Sequence, residues 1–545
     1  MYKEAVFMVQ KRIVALLLAM GMVVTVTAGC SKTENSTSSG DASNADTKAS
    51  ENQDNTDVAD DEDDEDDEDD GEVADIKVAL MSLAPVDTSV SEGILEKVNE
   101  ITESQINVHV DVQWVEAGTY GTQVTMMIQG GDDLDLMQFT PIPGGSYTSF
   151  LSAGQLMDIS EYLDTVGQDI KDIQGDLLNG CKFNDGIYGI GNYRDIAAFQ
   201  NILIRKDALE ETGHLEDAEN ATTWSEVEAI MKDVVAAGYG GFVNNDAMGT
   251  VLYPNAFMNG PDEFSQNRSV DILGDGYQLV VTDADTDTVE CKYFTDEFKT
   301  MAERAAKWYQ EGLIYKDAST AQDYGDTLLK SEVGAAKVAQ QESGSLENMT
   351  STAGHEFVAI KVCDMMISTS SITKFGYGVP VTAKEPEAAI KFVNLLYTNQ
   401  ELANTLTYGV EGRDWVLGDD GFATYPEGVT AENVPYHQSD FLYGNQFLIT
   451  PWTGSTTTRE EQKKLTDETE HSKYFGFQID NTGLENTLTA CYNVEQQYLA
   501  TLNSGVAGAD WEKTLTEFQD TLKKAGIDDL MAAYQSQLDE WLAQQ

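Results

Sequence analysis

The chain has 545 residues, of which 94 are Asp or Glu and 33 are Lys or Arg, so its formal net charge is −61. A charge of this sign repels polyphosphates and anionic lipids, which disfavours a nucleic-acid partner and electrostatic attachment to a membrane surface. About 470 residues follow the acidic run that ends near Gly71, enough for two or three lobes with sizeable hydrophobic cores.

The N-terminus carries an export signal. Lys11 and Arg12 precede a short apolar run over 13–26, and Gly29 and Cys30 follow shortly after this run. A bilayer-spanning helix needs about 20 apolar residues, and this run is shorter and is followed by small residues. The end of the run resembles a bacterial lipobox, so residues 1–30 are predicted to be a lipoprotein signal peptide with Cys30 as the lipidated residue. The alternative is a plain secretory signal with an incidental cysteine.

Residues 31–73 are predicted to be a disordered acidic tether. The segment is rich in Ser, Thr, Asn and Asp, and residues 60–70 form an unbroken acidic run. Such a segment repels itself and has little apolar surface to bury, which favours an extended spacer. Calcium binding by the carboxylates is the alternative, but no fixed loop geometry is implied.

The first folded segment predicts an α/β fold. Hydrophobic periodicity indicates strand, helix, strand, helix and strand over 76–83, 90–101, 108–114, 123–129 and 135–139. This alternation favours a parallel sheet with helices on its faces, and such sheets bind ligands at the carboxyl ends of their strands. Asp87, Phe139 and Tyr147 follow predicted strand ends and are therefore candidate ligand-binding residues.

Residues 375–415 contain the most ordered pattern in the chain. A short strand over 377–381 precedes Pro386, which suits the first turn of a helix. Apolar residues then recur at helical spacing up to Leu396, so one face of this helix is predicted to pack inward. Thr398 with Glu401 has the form of a capping box that begins a second helix.

These motifs carry a resemblance to a known family. The chain reads K-x-P-E-A-A-x-K-F at 384–392, T-x-x-E at 398–401 and Y-G-x-E-G at 408–412, with G-Q-L-M-D-I-S at 154–160 and T-W-x-E at 223–226. Together they resemble the extracellular solute-binding proteins of bacterial ABC importers. The resemblance is to the sugar-binding, family 1-like type, in the large lipoprotein branch with an extra C-terminal domain.

The resemblance implies a two-lobed, periplasmic-binding-protein-like fold. Each lobe is expected to be a mostly parallel sheet flanked by helices, with the ligand cleft between the lobes. Lobe 1 is then expected to comprise residues 74–190 and 372–415. Lobe 2 is expected to comprise residues 191–371 and 416–545, including a C-terminal helical extension.

Candidate ligand-binding residues follow from loop position and from the chemistry of sugars. Sugars need flat apolar faces that stack on C–H surfaces and planar polar groups that engage adjacent hydroxyls. The stacking candidates are Phe139, Tyr147, Tyr193, Trp415 and Trp452. The hydroxyl-binding candidates are Asp87, Arg194, Asn255, Gln341, Glu342, Glu411 and Arg413. For Arg413 the alternative is an ion pair with Asp414 or Glu411 that braces its loop.

Signatures of catalysis and of metal binding are not found. The five histidines show no metal or triad spacing, and the cysteines after Cys30 are widely separated. Asp283, Asp285 and Asp287 resemble part of an EF-hand loop, but Thr288 and Phe294 break its pattern, so a hairpin turn is the better interpretation. We therefore predict no cofactor, no metal and no enzymatic activity.

The predicted function is capture of a carbohydrate, an oligosaccharide above all, by a monomer lipid-anchored on the outer face of the cell membrane. Delivery to the permease subunits of an ABC transporter follows from the resemblance. Three alternatives stay open: a peptide-binding receptor, a secreted glycan-active enzyme, and a surface adhesin.

Overall fold

The structure is a computed structural model that describes residues 73–142, 144–246, 248–252, 257–258, 260–274, 279–343, 345–455 and 457–545. The predicted signal peptide, the predicted tether, Cys30 and Asn255 lie outside these residues. The strands among them are β1 Ala74–Ser82, β2 Val108–Glu116, β3 Leu136–Phe139, β4 Lys182–Phe183, β5 Gly186–Ile187, β6 Ile190–Gly191, β7 Ala198–Arg205, β8 Phe257–Met258, β9 Arg268–Ser269, β10 Val280–Asp283, β11 Thr288–Cys291, β12 Ala336–Glu342, β13 Phe357–Asp364, β14 Gly376–Gly378, β15 Val416–Leu417 and β16 Ala423–Thr424.

The helices of the first half are α1 Thr88–Ile106, α2 Tyr120–Gly130, α3 Tyr147–Ser152, α4 Ser160–Thr165, α5 Gln168–Gln174, α6 Lys206–Thr212, α7 Leu215–Glu219 and α8 Trp224–Ala236. Those of the second half are α9 Asp296–Gln310, α10 Asp326–Lys330, α11 Ser345–Ala353, α12 Thr369–Ile372, α13 Pro386–Thr398, α14 Gln400–Tyr408, α15 Arg459–Glu468, α16 Glu485–Asn503, α17 Trp511–Ala525 and α18 Ile527–Leu542. In the part of the chain that is described, no helix combines the length and the apolar character that a membrane crossing requires.

The first sheet has the strand order β2-β1-β3-β14-β6. β1 pairs in parallel with β2, in a register that runs from Ala74 opposite Val108 to Ser82 opposite Glu116, and it also pairs in parallel with β3. β14 is antiparallel to both β3 and β6. The predicted β-α-β-α-β segment is therefore confirmed. Helices on the sheet faces bury the apolar runs that fill β1 and β3.

The first hydrophobic core extends beyond the predicted lobe boundary at residue 416. It includes Ala423, Tyr436, Tyr443 and Ile449, which the sequence had assigned to the second lobe. Tyr436 explains this difference, because its ring lies 6.2 Å from that of Trp114 on β2 and its hydroxyl donates to the carbonyl of Leu406 at 2.6 Å. Residues 416–452 thus cover the first sheet.

The second sheet has the strand order β12-β7-β13, and both outer strands are antiparallel to β7. This differs from the mostly parallel sheet expected for the second lobe. The chain enters β7 at the end of the sheet where β12 and β13 finish, so β7 runs against both of them. Parallel pairing occurs beside β12, where Phe242 bridges to Ala336 and to Ile314. Two cores, each around its own sheet, give the predicted two-lobed α/β architecture.

The helix starts follow local capping chemistry. Thr223 caps α8 in a capping box with Glu226, and Trp224 is buried against Phe264 and Trp308 rather than free to stack on a ligand. Pro386 opens α13 as predicted. The predicted capping box at Thr398 is wrong, because α14 begins one residue later and the side chain of Asn399 accepts from the backbone N–H of Leu402.

The C-terminal helices α16, α17 and α18 belong to the second core. Leu488, Phe518 and Tyr534 bury their side chains there, and Gln519 on α17 donates to the carbonyl of Tyr293 at 2.7 Å. The predicted hairpin between β10 and β11 is confirmed and pairs Asp283 with Thr288. The cysteines in the described part of the chain, Cys181, Cys291, Cys363 and Cys491, form no disulfide bond with one another.

Candidate functional site

The chain passes between the two cores at three places. The first passage lies between Ile196, in the first core, and Ala198, in the second. The second passage lies between Met365, in the second core, and Ile367, in the first. The third passage leads from Trp452, against the first core, to Tyr474 in the second. Three crossings form a hinge that permits rigid-body rotation of one lobe against the other.

Charged and polar side chains from both sheets converge at this hinge. The hinge cluster comprises Arg194, Asp195, Glu342, Ser343 and Lys374. The guanidinium of Arg194 donates to the carbonyls of Asp195 at 2.9 Å and of Ser371 at 3.1 Å. The hydroxyl of Ser343, directly after β12, donates to Oδ2 of Asp195. A residue of the second sheet thereby binds a residue of the first crossing.

Burial dominates the electrostatics of the hinge cluster. It raises the pKa of Asp195 to about 6, against the opposing hydrogen bond from Ser343. It lowers the pKa of Arg194 and of Lys374, while the nearby carboxylate of Glu342 opposes both shifts. Oδ1 of Asp195 is buried and finds no hydrogen-bond donor among the described residues. The cluster therefore holds charges whose solvation changes when the lobes move.

A chain of hydrogen bonds leads away from the hinge cluster. The backbone N–H of Asp195 donates to Gln446 at 2.9 Å, and the amide of Gln446 donates to Asp440 at 3.0 Å. Arg459, the first residue of α15, forms an ion pair with the other oxygen of Asp440. Asp440 in turn acts electrostatically on His437. The hinge is thus connected to an aromatic surface of the first lobe.

That surface is the aromatic cluster, formed by Tyr408, Trp415, Tyr425, His437 and Trp452. The Trp452 ring lies 4.4 Å from His437, 4.8 Å from Tyr425 and 5.0 Å from Tyr408. Tyr425, His437 and Trp452 are half-buried, whereas Tyr408 and Trp415 are buried beneath them. Burial lowers the pKa of His437, and its Nδ1 finds no partner among the described residues.

The aromatic cluster lies beside the carboxyl end of β1. Gln438, next to His437, accepts from the backbone N–H of Leu83 at 3.1 Å, and Leu83 directly follows β1. Arg413 contacts the first turn of α1 through the carbonyl of Val90. Since ligands of such sheets bind at strand carboxyl ends, this position suits a binding surface.

The predicted residues around this surface differ in their exposure and in their hydrogen bonds. Trp452 is half-buried within the aromatic cluster. Trp415 is 6% exposed and donates its indole N–H to the carbonyl of Gly409 at 3.2 Å. Glu411 and Asp87 are exposed, and Asp87 caps α1 without a side-chain hydrogen bond.

Arg413 follows the alternative interpretation of a loop brace. Its guanidinium donates two hydrogen bonds to Oδ2 of Asp414, at 2.6 and 3.0 Å, and one to Oδ1 at 2.9 Å. Asp414 is fully buried and also accepts from the backbone N–H of Val410 at 2.8 Å. Nε and Nη2 of Arg413 are therefore engaged within the protein.

Phe139 and Tyr147 do not lie on an accessible surface, contrary to the prediction. They are 0% and 1% exposed and pack edge to face at 5.2 Å, and the Tyr147 hydroxyl donates to the carbonyl of Cys181 at 2.7 Å. Gly376 lies opposite Phe139 in the sheet, and a Cβ there would meet the Phe139 ring at 2.3 Å. The glycine makes room for the ring inside the core.

The remaining predicted residues lie near the hinge. Tyr193 is 5% exposed, donates to Asp467 on α15 at 3.1 Å and lies beneath the ammonium of Lys463. Gln341 is buried and accepts from Asn201 at 3.0 Å. Arg194 and Glu342 are members of the hinge cluster.

Sequence reasoning missed Asp195, Ser343, Lys374, Tyr425 and His437. An acidic residue stands out little in a chain with 94 acidic residues, and Ser343 gives no pattern of its own. Lys374 offered a weak signal, because it lies two residues before the buried strand β14, where a lysine is uncommon. Within the described residues, no group of His, Cys, Asp and Glu side chains is arranged to hold a metal ion.

Comparison with known proteins places this geometry in a family. A sequence profile of bacterial extracellular solute-binding proteins matches residues 87–403, and one for a domain of unknown function, DUF3502, matches residues 473–543. A carbohydrate ABC transporter substrate-binding protein of Streptococcus pneumoniae serotype 4 is 23% identical over 461 residues, which cover 83% of this chain and 88% of the relative.

Solved structures agree on the fold. The N-glycan transport solute-binding protein NgtS of Streptococcus pneumoniae aligns with a TM-score of 0.72 at 21% identity, over 86% of this chain and 99% of that protein. Its complex with Man5GlcNAc aligns with a TM-score of 0.64 at 21% identity, over 87% and 99%. The profile match spans more than half of the sequence, so this chain belongs to the bacterial extracellular solute-binding protein family.

Proposed function

We propose that the protein captures a carbohydrate, an oligosaccharide above all, between its two lobes and delivers it to the permease subunits of an ABC transporter. The carrying observation is the aromatic cluster with the half-buried Trp452 beside the carboxyl end of β1. A flat ring exposed at that edge suits the C–H face of a sugar.

The hydrogen-bond chain supports a coupling between ligand and hinge. A sugar that contacts Trp452 and His437 would act on the same segment, 436–446, that binds the hinge cluster through Gln446. Closure of the lobes would then bring the polar groups after β12 towards the sugar. Asn255, Glu342, Arg194 and Glu411 stay candidates for hydroxyl contacts in that closed form.

The relatives support the carbohydrate class. The curated relative is named as a carbohydrate ABC transporter substrate-binding protein, and NgtS was solved with Man5GlcNAc. Both are binding proteins, which supports a receptor that does not turn over its ligand. Lipidation at Cys30, a tether over 31–73 and a monomer on the outer face of the membrane complete the proposal.

A peptide-binding receptor is the second candidate, favoured by the net charge of −61, which would attract cationic peptides. A thermal-unfolding screen of residues 73–545 against oligosaccharides and short peptides separates the two. Ligand at 100 times its dissociation constant adds about 2.7 kcal/mol to the free energy of unfolding, or about 2–4 °C in Tm.

A stabilising shift with glycans alone supports the proposal, and shifts with peptides alone contradict it. Incubation of the same protein with labelled oligosaccharides, followed by separation of products, tests for an enzyme. Intact oligosaccharide is the expected result, and cleaved product would overturn the assignment as a receptor.

A further inference from the structure

The carboxyl group of Asp195 bonds the first lobe to the second sheet. Asp195 precedes Ile196, a member of the first core. Ser343 directly follows β12, which contributes Val338 to the second core. The hydroxyl of Ser343 donates to Oδ2 of Asp195. A rotation of one lobe against the other can therefore separate the donor from the acceptor of this hydrogen bond.

The second oxygen of this carboxyl group is sealed off from water. Asp195 is 4% exposed, and its Oδ1 is buried without a hydrogen-bond donor among the described residues. The guanidinium of Arg194 donates instead to the backbone carbonyls of Asp195 and Ser371. An ionised carboxylate costs far more free energy to bury than the protonated acid does. The arrangement of the lobes described here therefore favours the protonated form of Asp195.

Charged groups act on Asp195 from several elements. Attraction by Arg194 and by Arg459, the first residue of α15, favours the carboxylate, whereas repulsion by Glu342 at the end of β12 disfavours it. Lys374, two residues before β14, interacts with Arg194 and Glu342. Burial outweighs the attraction and raises the pKa of Asp195 to about 6.

The backbone around this carboxyl group is held by neutral side chains. The backbone N–H of Asp195 donates to Gln446 at 2.9 Å, and that of Ile196 donates to the hydroxyl of Thr466 on α15 at 3.3 Å. On the same helix, Arg459 is already paired with Asp440. These contacts fix the position of Asp195 and leave its Oδ1 without a donor.

A neutral hydrogen bond also connects the lobes. The amide of Gln478, which lies between two residues of the second core, donates to the carbonyl of Gly180 at 2.8 Å. Gly180 precedes Cys181 of the first core. Neither an amide nor a carbonyl titrates in the physiological range, so pH leaves this bond unchanged. The lobes are thus joined by one bond to a titratable group and by another that pH does not affect.

We propose that Asp195 is a proton-operated latch of the hinge, which holds the lobes as described here when it is protonated and favours a rotation that hydrates Oδ1 when it is ionised. The proton comes from bulk water and returns to it. This regulation goes beyond the proposed function, because it acts on the two lobes whether or not a ligand is bound.

The expected size of the effect follows from proton linkage. A hydrated carboxyl group has the ordinary pKa of 3.8, against about 6 in the buried position. The equilibrium constant for the rotation should therefore rise about tenfold between pH 5 and pH 7, and change little above that range.

Single-molecule energy transfer between dyes on the two lobes measures this equilibrium in residues 73–545. The dyes are attached through Glu96→Cys on α1 and Glu210→Cys on α6, both at exposed positions. The background carries Cys363→Ser, because the other cysteines of the described part are buried. We expect a second population of inter-dye distances to grow about tenfold, relative to the first, between pH 5 and pH 7.

Variants assign the effect to the latch. Asp195→Asn should abolish the dependence on pH, whereas Ser343→Ala should extend it to higher pH, because the lost hydrogen bond favours the carboxylate. Gln478→Ala should change the equilibrium by the same factor at both pH values. The matched control is Asp467→Asn, whose carboxyl group accepts from Tyr193 but is 47% exposed, and it should keep the tenfold change. Unfolding curves show which variants are folded, and Ser343→Ala serves if Asp195→Asn is not.

Three outcomes would overturn the proposal. The first is an unchanged distribution of distances between pH 5 and pH 7 in the protein with native Asp195. The second is growth of the second population at pH 5 rather than at pH 7. The third is a dependence on pH that persists in Asp195→Asn, which would assign the effect to another titratable group.

Discussion

The hinge cluster is linked to the aromatic cluster through hydrogen bonds as far as Asp440 and through the charge of Asp440 on His437, yet burial shifts the pKa of their titratable groups in opposite directions. In the hinge cluster burial raises the pKa of Asp195 to about 6, and in the aromatic cluster it lowers the pKa of His437. Both groups thereby favour their neutral forms. The burial of Asp195 therefore costs least free energy in acid conditions, whereas the burial of His437 costs least in neutral or alkaline conditions.

The two regions also differ in what they offer a ligand. The hinge cluster is a set of engaged charges, with Arg194 and Asp195 at 6% and 4% exposure. The aromatic cluster leaves three rings half-buried and a histidine nitrogen with no partner in the described part of the chain. We infer that the aromatic cluster contributes mainly to affinity and the hinge cluster mainly to the balance between open and closed forms.

Trp452→Ala should produce the largest effect. Loss of the stacking surface is expected to weaken carbohydrate binding about 100-fold, since buried tryptophans dominate many binding sites. The free energy of unfolding should also fall, by about 1–3 kcal/mol, because the half-buried ring packs on Tyr408, Tyr425 and His437. Titration calorimetry with the glycan found by the screen measures the change.

The matched control for this variant is Trp511→Ala, a partly buried tryptophan on α17 in the second core. Its affinity for the glycan should equal that of the unchanged protein. Equal losses of affinity in both variants would remove the assignment of the aromatic cluster as the stacking surface.

Asp195→Asn tests the hinge side of the comparison. The folded-state pKa lies above the unfolded value of about 3.8, so the contribution of this carboxyl to stability is complete below pH 3.8 and is lost as pH rises through about 6. The variant should therefore be more stable than the unchanged protein at pH 7, by about 2 kcal/mol.

Denaturant unfolding at pH 4 and pH 7 measures this difference, which should shrink towards zero at pH 4. A variant that is less stable at pH 7 would contradict the account, because attraction to Arg194 and Arg459 would then outweigh the cost of burial.

Tyr193→Phe should have a smaller effect on stability. It removes the hydroxyl that donates to Asp467 at 3.1 Å, between the first crossing and α15. We expect a loss of about 1 kcal/mol in the free energy of unfolding. The control is Tyr239→Phe, whose hydroxyl donates to Glu211 at the exposed surface and whose loss should cost much less. If Tyr239→Phe lowers the free energy of unfolding more than Tyr193→Phe does, the hydrogen bond at the crossing contributes little to stability.

His437→Gln should have the smallest effect and the opposite sign of pH dependence to Asp195→Asn. The folded-state pKa lies below the unfolded value of 6.5, so the neutral ring stabilises the fold above pH 6.5 and this contribution is lost as pH falls. The variant should gain about 1 °C in Tm over the unchanged protein at pH 5 and nothing at pH 8. A gain in Tm at pH 8 alone would contradict the downward shift assigned to the pKa of His437.

The first lobe was predictable because its signals are local. The apolar run of β1, the helical spacing in α1 and the alternation in β2 each specify one element, and a β-α-β order then implies a parallel sheet. In the second lobe β7 contains the apolar run Ile202, Leu203 and Ile204, and such a run is equally compatible with parallel and antiparallel partners. Its antiparallel pairing depends on where the chain enters the sheet, which the local sequence does not encode.

The candidate site was predictable only in part. Trp452, Arg194 and Tyr193 were placed near the hinge or the binding edge by their loops. Phe139 and Tyr147 occupy equivalent positions after strands but point into the core, because Gly376 leaves space for the Phe139 ring. Ser343 binds Asp195 across 148 residues of sequence, and no local pattern indicates such a pair.

The most direct test of the central claim is hydrogen exchange of residues 73–545 with and without the glycan that stabilises the protein. The account predicts that the bound glycan slows exchange in segments 82–90 and 436–452, which form the aromatic surface, and in 340–346 after β12. Absence of protection in all three segments would contradict a carbohydrate site between the lobes.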